Sequence, residues 1–119
     1  MKKTVVLGAS PNPARFSYKA VKSLTRHGHE AVPVGFRPGV IQDRLILRGT
    51  PEVNNVHTVA LYVGAKRQTD FYDYILELRP KRVIFNPGTT NPELKTLLER
   101  QGIRTVEDCM LVMLNEGDF

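Results

Sequence analysis

The 119 residues are 41% hydrophobic and 24% charged, a balance ordinary for one soluble globular domain that buries on the order of two thirds of its unfolded surface. No apolar run approaches the roughly 18 residues of a membrane span, and Met1-Lys2-Lys3 followed by Val5 to Ala9 is too short, and too soon closed by prolines, for a signal start. A cytoplasmic protein is expected. The net charge of +5 and pI near 9.6 suit an anionic partner. Because the basic residues are scattered from Lys2 to Arg104 and run along no single helix face, a small anionic ligand is favoured over nucleic acid.

Strand and helix alternate along the chain, which points to an α/β protein with a parallel sheet covered on both faces. Thr4 to Gly8 reads as the first strand, and Ser17 to His27 as a helix with core residues Ala20, Val21 and Leu24, stopped at Gly28. Glu30 to Val34 is the second strand. Gly35 to Pro51 is loop-like, with Arg44 to Arg48 as a short edge strand, and His57 to Val63 is a buried strand. Phe71, Tyr74, Ile75 and Leu78 fall at i, i+3, i+4 and i+7 and predict one helix from Arg67 to Arg79, closed by Pro80. Arg82 to Phe85 is a strand and Asn86 to Thr89 a turn. Asn91 caps a helix with Pro92 in its first turn and Leu94, Leu97 and Leu98 inward. Gly102 ends it, Ile103 to Val106 is the last strand, and Asp108 to Leu114 a short terminal helix.

The expected architecture is a three-layer, doubly wound parallel sheet of about five strands in a single domain. Ligands of such sheets lie beyond the C-terminal strand ends, where the strand order reverses. That rule gathers the loops Gly8 to Ser17, Val34 to Pro38, Val63 to Lys66 and Asn86 to Thr89 at one place. The first loop carries the strongest signal. A buried strand stops at Gly8 and feeds a helix, whose free N-terminal N–H groups and dipole favour a phosphate. Only the first glycine of G-x-G-x-x-G is present, with Ser10 and Pro13 in the other places. Pro11 and Pro13 lack N–H donors, so Arg15, with its planar fork, is the expected phosphate ligand, and Ser17 is the expected N-cap.

An NAD site usually ends the second strand with a carboxylate for the ribose. Here that place reads Val34-Gly35-Phe36-Arg37. A cation there suits a ribose bearing an extra phosphate, so NADP and coenzyme A both qualify, with Arg37 as the ribose-phosphate contact. Tyr18 and Phe36 lie where an aromatic ring would cover an adenine, whereas Phe71, Tyr74 and Phe85 fall at core positions.

Four segments together resemble a known family. They are Gly8-Ala9-Ser10-x-x-Pro13-x-Arg15-x-Ser17, Gly28-His29-Glu30-Ala31-Val32-Pro33-Val34, Asn86-Pro87-Gly88-Thr89-x-Asn91, and Gly102-Ile103 to Cys109. The chain resembles the small stand-alone CoA-binding domain proteins, Rossmann-like and similar to the CoA-binding domain of the succinyl-CoA synthetase alpha subunit. The resemblance covers nearly the whole chain, so residues 1–119 would form one such domain. It implies coenzyme A or an acyl-CoA with its pyrophosphate on the loop of Gly8, Ala9, Ser10, Asn12, Arg15, Ser17 and Tyr18. The adenosine end would lie near Pro33, Val34, Phe36 and Arg37, and the pantetheine arm past Val63, Gly64, Lys66, Asn86, Pro87 and Gly88. The chain departs from the family pattern in three places. It has His57-Thr58 where an aspartate is common, Val63-Gly64-Ala65-Lys66 in place of a Phe-Arg pair, and Asn86 in place of glutamine.

No nucleophile beside a base and no poised acid–base pair stands out, so binding without catalysis is expected. Cys109, the single cysteine, excludes an internal disulfide. It reads as a small buried residue, the alternative being a thiol that forms a mixed disulfide with CoA. His27, His29 and His57 lack the spacing of a metal site. Asp70, Asp73 and Glu77 form a solvated helix face. Pairing of two copies through an edge strand or the terminal helix is left open by the sequence.

Overall fold

The computed structural model describes residues 1–119. The chain runs β1 (Thr4–Leu7), α1 (Phe16–Arg26), β2 (Ala31–Gly35), β3 (Val40–Ile41), β4 (Arg44–Leu45), β5 (Leu47–Arg48), β6 (Thr58–Leu61), α2 (Ala65–Gln68), a 3₁₀ turn (Thr69–Phe71), α3 (Tyr72–Leu78), β7 (Arg82–Phe85), α4 (Pro92–Arg100), β8 (Arg104–Glu107) and α5 (Met110–Glu116). The main sheet is parallel throughout, in the order β5-β2-β1-β6-β7-β8. It has six strands rather than about five. The segment read as one edge strand, Arg44 to Arg48, divides. With Gln42 in the left-handed region at φ 57°, Val40–Ile41 folds back on Arg44–Leu45 as a small antiparallel pair, and only Leu47–Arg48 joins the sheet beside β2.

Every residue of β1, β6 and β7 is buried, because each strand packs on both faces. Val5, Leu7, Val59, Leu61, Val83 and Phe85 meet Ile75, Leu94 and Leu98 of α3 and α4 on one side. Val6, Ala60 and Ile84 meet Ala20, Val21 and Leu24 of α1 and Met110, Met113 and Leu114 of α5 on the other. This is why the central strands read as continuous β-branched and aliphatic runs rather than alternating ones.

Two helix expectations are corrected. The helix predicted over Arg67 to Arg79 is broken by the 3₁₀ turn at Thr69–Phe71. A tighter turn takes residues out of the 3.6-residue period, so Tyr74 and Ile75 stay in the core while Phe71 is only half-buried and lies edge-on to Phe36, with centroids 5.8 Å apart. Ser17 is not an N-cap. The helix begins one residue earlier, Arg15 occupies the cap position without a side-chain bond, and Ser17 is buried inside the first turn. Asn91 does cap α4 as expected, accepting Leu94 N–H at 3.2 Å.

The strand order reverses at β1, with β2 to one side and β6 to the other. At the C-terminal end of β1 the chain turns back so tightly that the N–H groups of Gly8 and Ala9 both donate to Val34 O, at 2.8 and 2.9 Å. Two glycines make that approach feasible. Gly8 has φ 98°, and a Cβ there would stand 2.7 Å from Val63 Cγ2 and 2.9 Å from the Tyr62 carbonyl. A Cβ on Gly35 would overlap the carbonyl oxygen of Ala9.

A Gly35→Ala substitution must therefore push the β1–α1 loop off β2, and it is expected to lower stability by about 1–3 kcal/mol, the range for overpacking a close-packed site. Urea denaturation of the two proteins measures it, and equal midpoints would refute the contact. A second expectation concerns the other end of the strands. His29 Nδ1 accepts Lys2 N–H at 2.9 Å, and His57 Nδ1 lies 2.7 Å from Thr58 Oγ1. Burial above all, and then nearby positive charge including Lys2 and Arg82, hold both imidazoles below the ordinary 6.5. Between the folded-state values and 6.5 the unfolded chain binds more protons, so this contribution is complete above 6.5 and is lost as pH falls through the folded values. Thermal melts should give a lower Tm at pH about 5 than at about 7.5, and a His29→Gln/His57→Gln variant should show less of that dependence.

Candidate functional site

The C-terminal ends of β1 and β2 enclose a cavity of about 160 Å³ lined by Leu7, Gly8, Val34, Gly35, Phe36, Arg48, Gly49 and Phe71. Phe36, 43% exposed, forms its outer wall. One edge of that arrangement is the tilted contact with Phe71, and the Arg67 guanidinium lies 3.7 Å from the Phe36 ring centroid, within cation–π range. Arg48, Arg67 and Phe71 were not among the site residues read from sequence. Arg48 comes from β5, which no local pattern sets beside β2. Phe71 reaches the cavity, and Arg67 the Phe36 ring at its edge, through the broken helix, and only for Phe71 did the helical period carry a trace.

The β1–α1 loop is built from its own side chains. Ser17 Oγ accepts Ser10 N–H at 3.1 Å, Ser10 Oγ accepts Asn12 N–H at 3.1 Å, and Asn12 Oδ1 accepts Ala14 N–H at 3.0 Å. With Gly8 and Ala9 bonded to Val34, the amides of the loop are largely committed to its shape. The donors that remain are the N–H groups of Phe16, Ser17 and Tyr18, which open α1 and have no acceptor within it. Arg15 stands exposed beside them with no carboxylate partner. Helix N-terminus and free guanidinium thus face the same solvent, and together they are able to hold a phosphate.

The loops after β6 and β7 are joined by a buried amide network that no sequence pattern announced. Gln68, fully buried, donates through Nε2 to Val63 O and Thr89 O, both at 2.7 Å, and its Oε1 accepts from Asn91 Nδ2 at 2.9 Å. Asn91 Nδ2 also lies 2.8 Å from the Tyr72 hydroxyl, which donates to Glu93 Oε1 at 3.0 Å. Asn86 is buried with both ends of its amide engaged, Nδ2 donating to Leu61 O at 3.1 Å and Oδ1 accepting Met110 N–H at 2.9 Å. Its amide holds β6 and α5 to the turn. Pro87 and Gly88 beyond it are exposed.

The remaining expected residues divide. Val34 and Phe36 line the cavity, while Val63 is buried against Gly8, and Gly64 and Lys66 are exposed at the start of α2. Arg37 is exposed next to Phe36 without lining the cavity. Pro33 is buried within β2, and Tyr18 packs against the α1/α5 core. Neither lines the cavity. Cys109, expected as a buried residue, is only half-buried at the N-cap of α5, and its N–H donates to Asp108 Oδ1 at 2.7 Å. Asp70, Asp73 and Glu77 are exposed. No helix is long and apolar enough to cross a membrane.

Comparison with solved structures gives the same architecture. A crystal structure of an uncharacterized protein is 48% identical, with a TM-score of 0.98 over 100% of this chain and 98% of that one. A conserved hypothetical protein from Pyrococcus furiosus is 25% identical, with a TM-score of 0.80 over 94% and 98% of the two chains. A protein from Thermus thermophilus, 23% identical, shares the fold with a TM-score of 0.87 over 99% and 90%. No functionally curated protein matches the chain. The model of the CoA binding domain matches residues 2–115, and with the sheet order and the β1–α1 loop described above, the chain belongs to that CoA-binding domain family.

Proposed function

We propose that the protein binds coenzyme A or an acyl-CoA without transforming it, acting as a carrier, sensor or accessory module. The observation that carries the reading is the meeting, at the point of strand reversal, of the β1–α1 loop with a cavity whose rim holds cations and no carboxylate. Where β2 ends, Arg37 follows Phe36, and Arg48 lines the cavity from β5. A free ribose hydroxyl pair is usually met there by Asp or Glu, and a phosphorylated ribose by a cation. Coenzyme A carries such a phosphate.

In this reading the pyrophosphate lies over the α1 N-terminus with Arg15, and the adenine enters the slot between Phe36 and Phe71. A volume of about 160 Å³ suits one flat heterocycle, whereas whole-ligand pockets run to several hundred Å³. The pantetheine arm would then follow the exposed groove past Gly64, Lys66, Pro87 and Gly88. Phe36 must part from Arg67 or turn with it to admit the base. The same cations would also suit the 2′-phosphate of NADP, so a dinucleotide-dependent enzyme or redox sensor is the competing reading.

Calorimetric titration with coenzyme A, dephospho-coenzyme A, NADP and NAD separates the two. Coenzyme A is expected to bind at least about tenfold tighter than the other three, the scale of one charge-assisted phosphate contact. Tighter binding of NADP would overturn the reading. Arg15→Ala should weaken coenzyme A by about 10- to 150-fold, from the loss of a contact worth about 1.5–3 kcal/mol. An Arg37→Gln/Arg48→Gln variant should bind coenzyme A and its dephospho form alike.

A further inference from the structure

The opposite, N-terminal end of the strands holds a second gathering of cations. Arg82 opens β7 with its side chain 2% exposed. Thr58 and Arg104 are its register partners in β6 and β8, so the three side chains share the sheet face covered by α1 and α5. Arg82 Nε donates to Thr58 Oγ1 at 3.0 Å, and its guanidinium lies 4.4 Å from the centroid of the Phe119 ring. Nη2 is buried and has no acceptor. A ring face attracts the guanidinium as a whole, but it leaves this donor in the plane of the fork unsatisfied.

No side-chain carboxylate answers this charge, although Lys2 Nζ donates to the main-chain oxygen of Phe119. The one ion pair of the protein joins Lys3 and Glu30 at 3.7 Å. Arg82 instead has Lys2, whose Nζ is 5.6 Å from the same Phe119 ring, and Arg104 as charged neighbours. His29 stacks at a tilt on Phe119 with centroids 4.8 Å apart, and His57 shares the Thr58 hydroxyl with Arg82. Burying an unpaired cation beside two more is unfavourable, and an anion bonded to the guanidinium reverses that.

We propose that Arg82, Lys2 and Arg104 form a site for a small oxyanion, a phosphate or carboxylate group, which takes the free Arg82 Nη2 donor and is covered by Phe119. The planar guanidinium fork matches the spacing of oxyanion oxygens, and the enclosure by Phe119 limits the occupant to a small group. Strands of four residues span about 13 Å, so this site and the β1–α1 loop lie at opposite ends of the sheet. It does not depend on the nucleotide reading.

The test follows the His29 and His57 imidazole signals by NMR in the whole protein during titration with inorganic phosphate, with acetate, and with chloride at matched ionic strength. An Arg15→Ala background removes the loop guanidinium from consideration. Saturable shifts with phosphate or acetate, absent with chloride and weakened about tenfold or more in a Lys2→Gln/Arg104→Gln variant, are expected. Saturation by phosphate alone assigns a phosphate group, and saturation by both assigns a general oxyanion site. Shifts that merely follow ionic strength, or saturable shifts unaffected by the double variant, overturn the proposal and leave Arg82 a structural cation held by Thr58 and Phe119.

Discussion

Parallel strands that stop inside a protein leave backbone groups without ladder partners, and buried orphans of that kind are costly. At the C-terminal edge of this sheet the cost is met by a few polar side chains. Gln68 closes Val63 O and Thr89 O, Asn86 closes Leu61 O and Met110 N–H, Asn91 closes Leu94 N–H, and Ser17 closes Ser10 N–H. The loops above the strands owe their positions to these bonds. Since each amide serves two or three elements at once, the loops are tied to one another as well as to the strands.

The same economy explains why so little of the β1–α1 loop is free to bind. Its amides are spent on Val34 O and on its own serine and asparagine side chains. Glycine is required at positions 8 and 35 because two backbones pass within van der Waals distance there, and the reward is a rigid loop that aims the first N–H groups of α1 and the Arg15 guanidinium outward. Preorganised donors of this kind bind without an ordering cost. The positive charge of the chain is likewise organised rather than spread. Arg15, Arg37, Arg48 and Arg67 surround one end of the strands, and Lys2, Lys81, Arg82 and Arg104 the other. The middle positions of β1, β2, β6 and β7 are apolar.

The alternation of strand and helix, the two-faced burial of the sheet and the position of the β1–α1 loop were all legible in the sequence, because they rest on local signals. β-branched runs at Thr4 to Leu7 and Arg82 to Phe85, the Asn91-Pro92 helix start and the glycine after the first strand each act within a few residues. Local signals also misled. The stripe from Phe71 to Leu78 is a sound helical pattern, yet a 3₁₀ turn follows the buried Gln68, and Phe71 at its end lines the cavity. Ser17 has the chemistry of a cap, but a loop amide claims its hydroxyl.

What the sequence by itself determined was therefore the class of fold and the place of the β1–α1 loop and of the residues that end β2, since periodicity and turn chemistry are properties of neighbouring residues. Only the tertiary structure decided which side chains surround the cavity. Arg48 and Phe71, which line it, and Arg67, which lies on the Phe36 ring, come from segments tens of residues apart from the β1–α1 loop, and Arg82 meets Phe119 across a similar separation. Contacts of that range are fixed by strand order and by which buried polar groups find partners, and neither is written in any local stretch of chain.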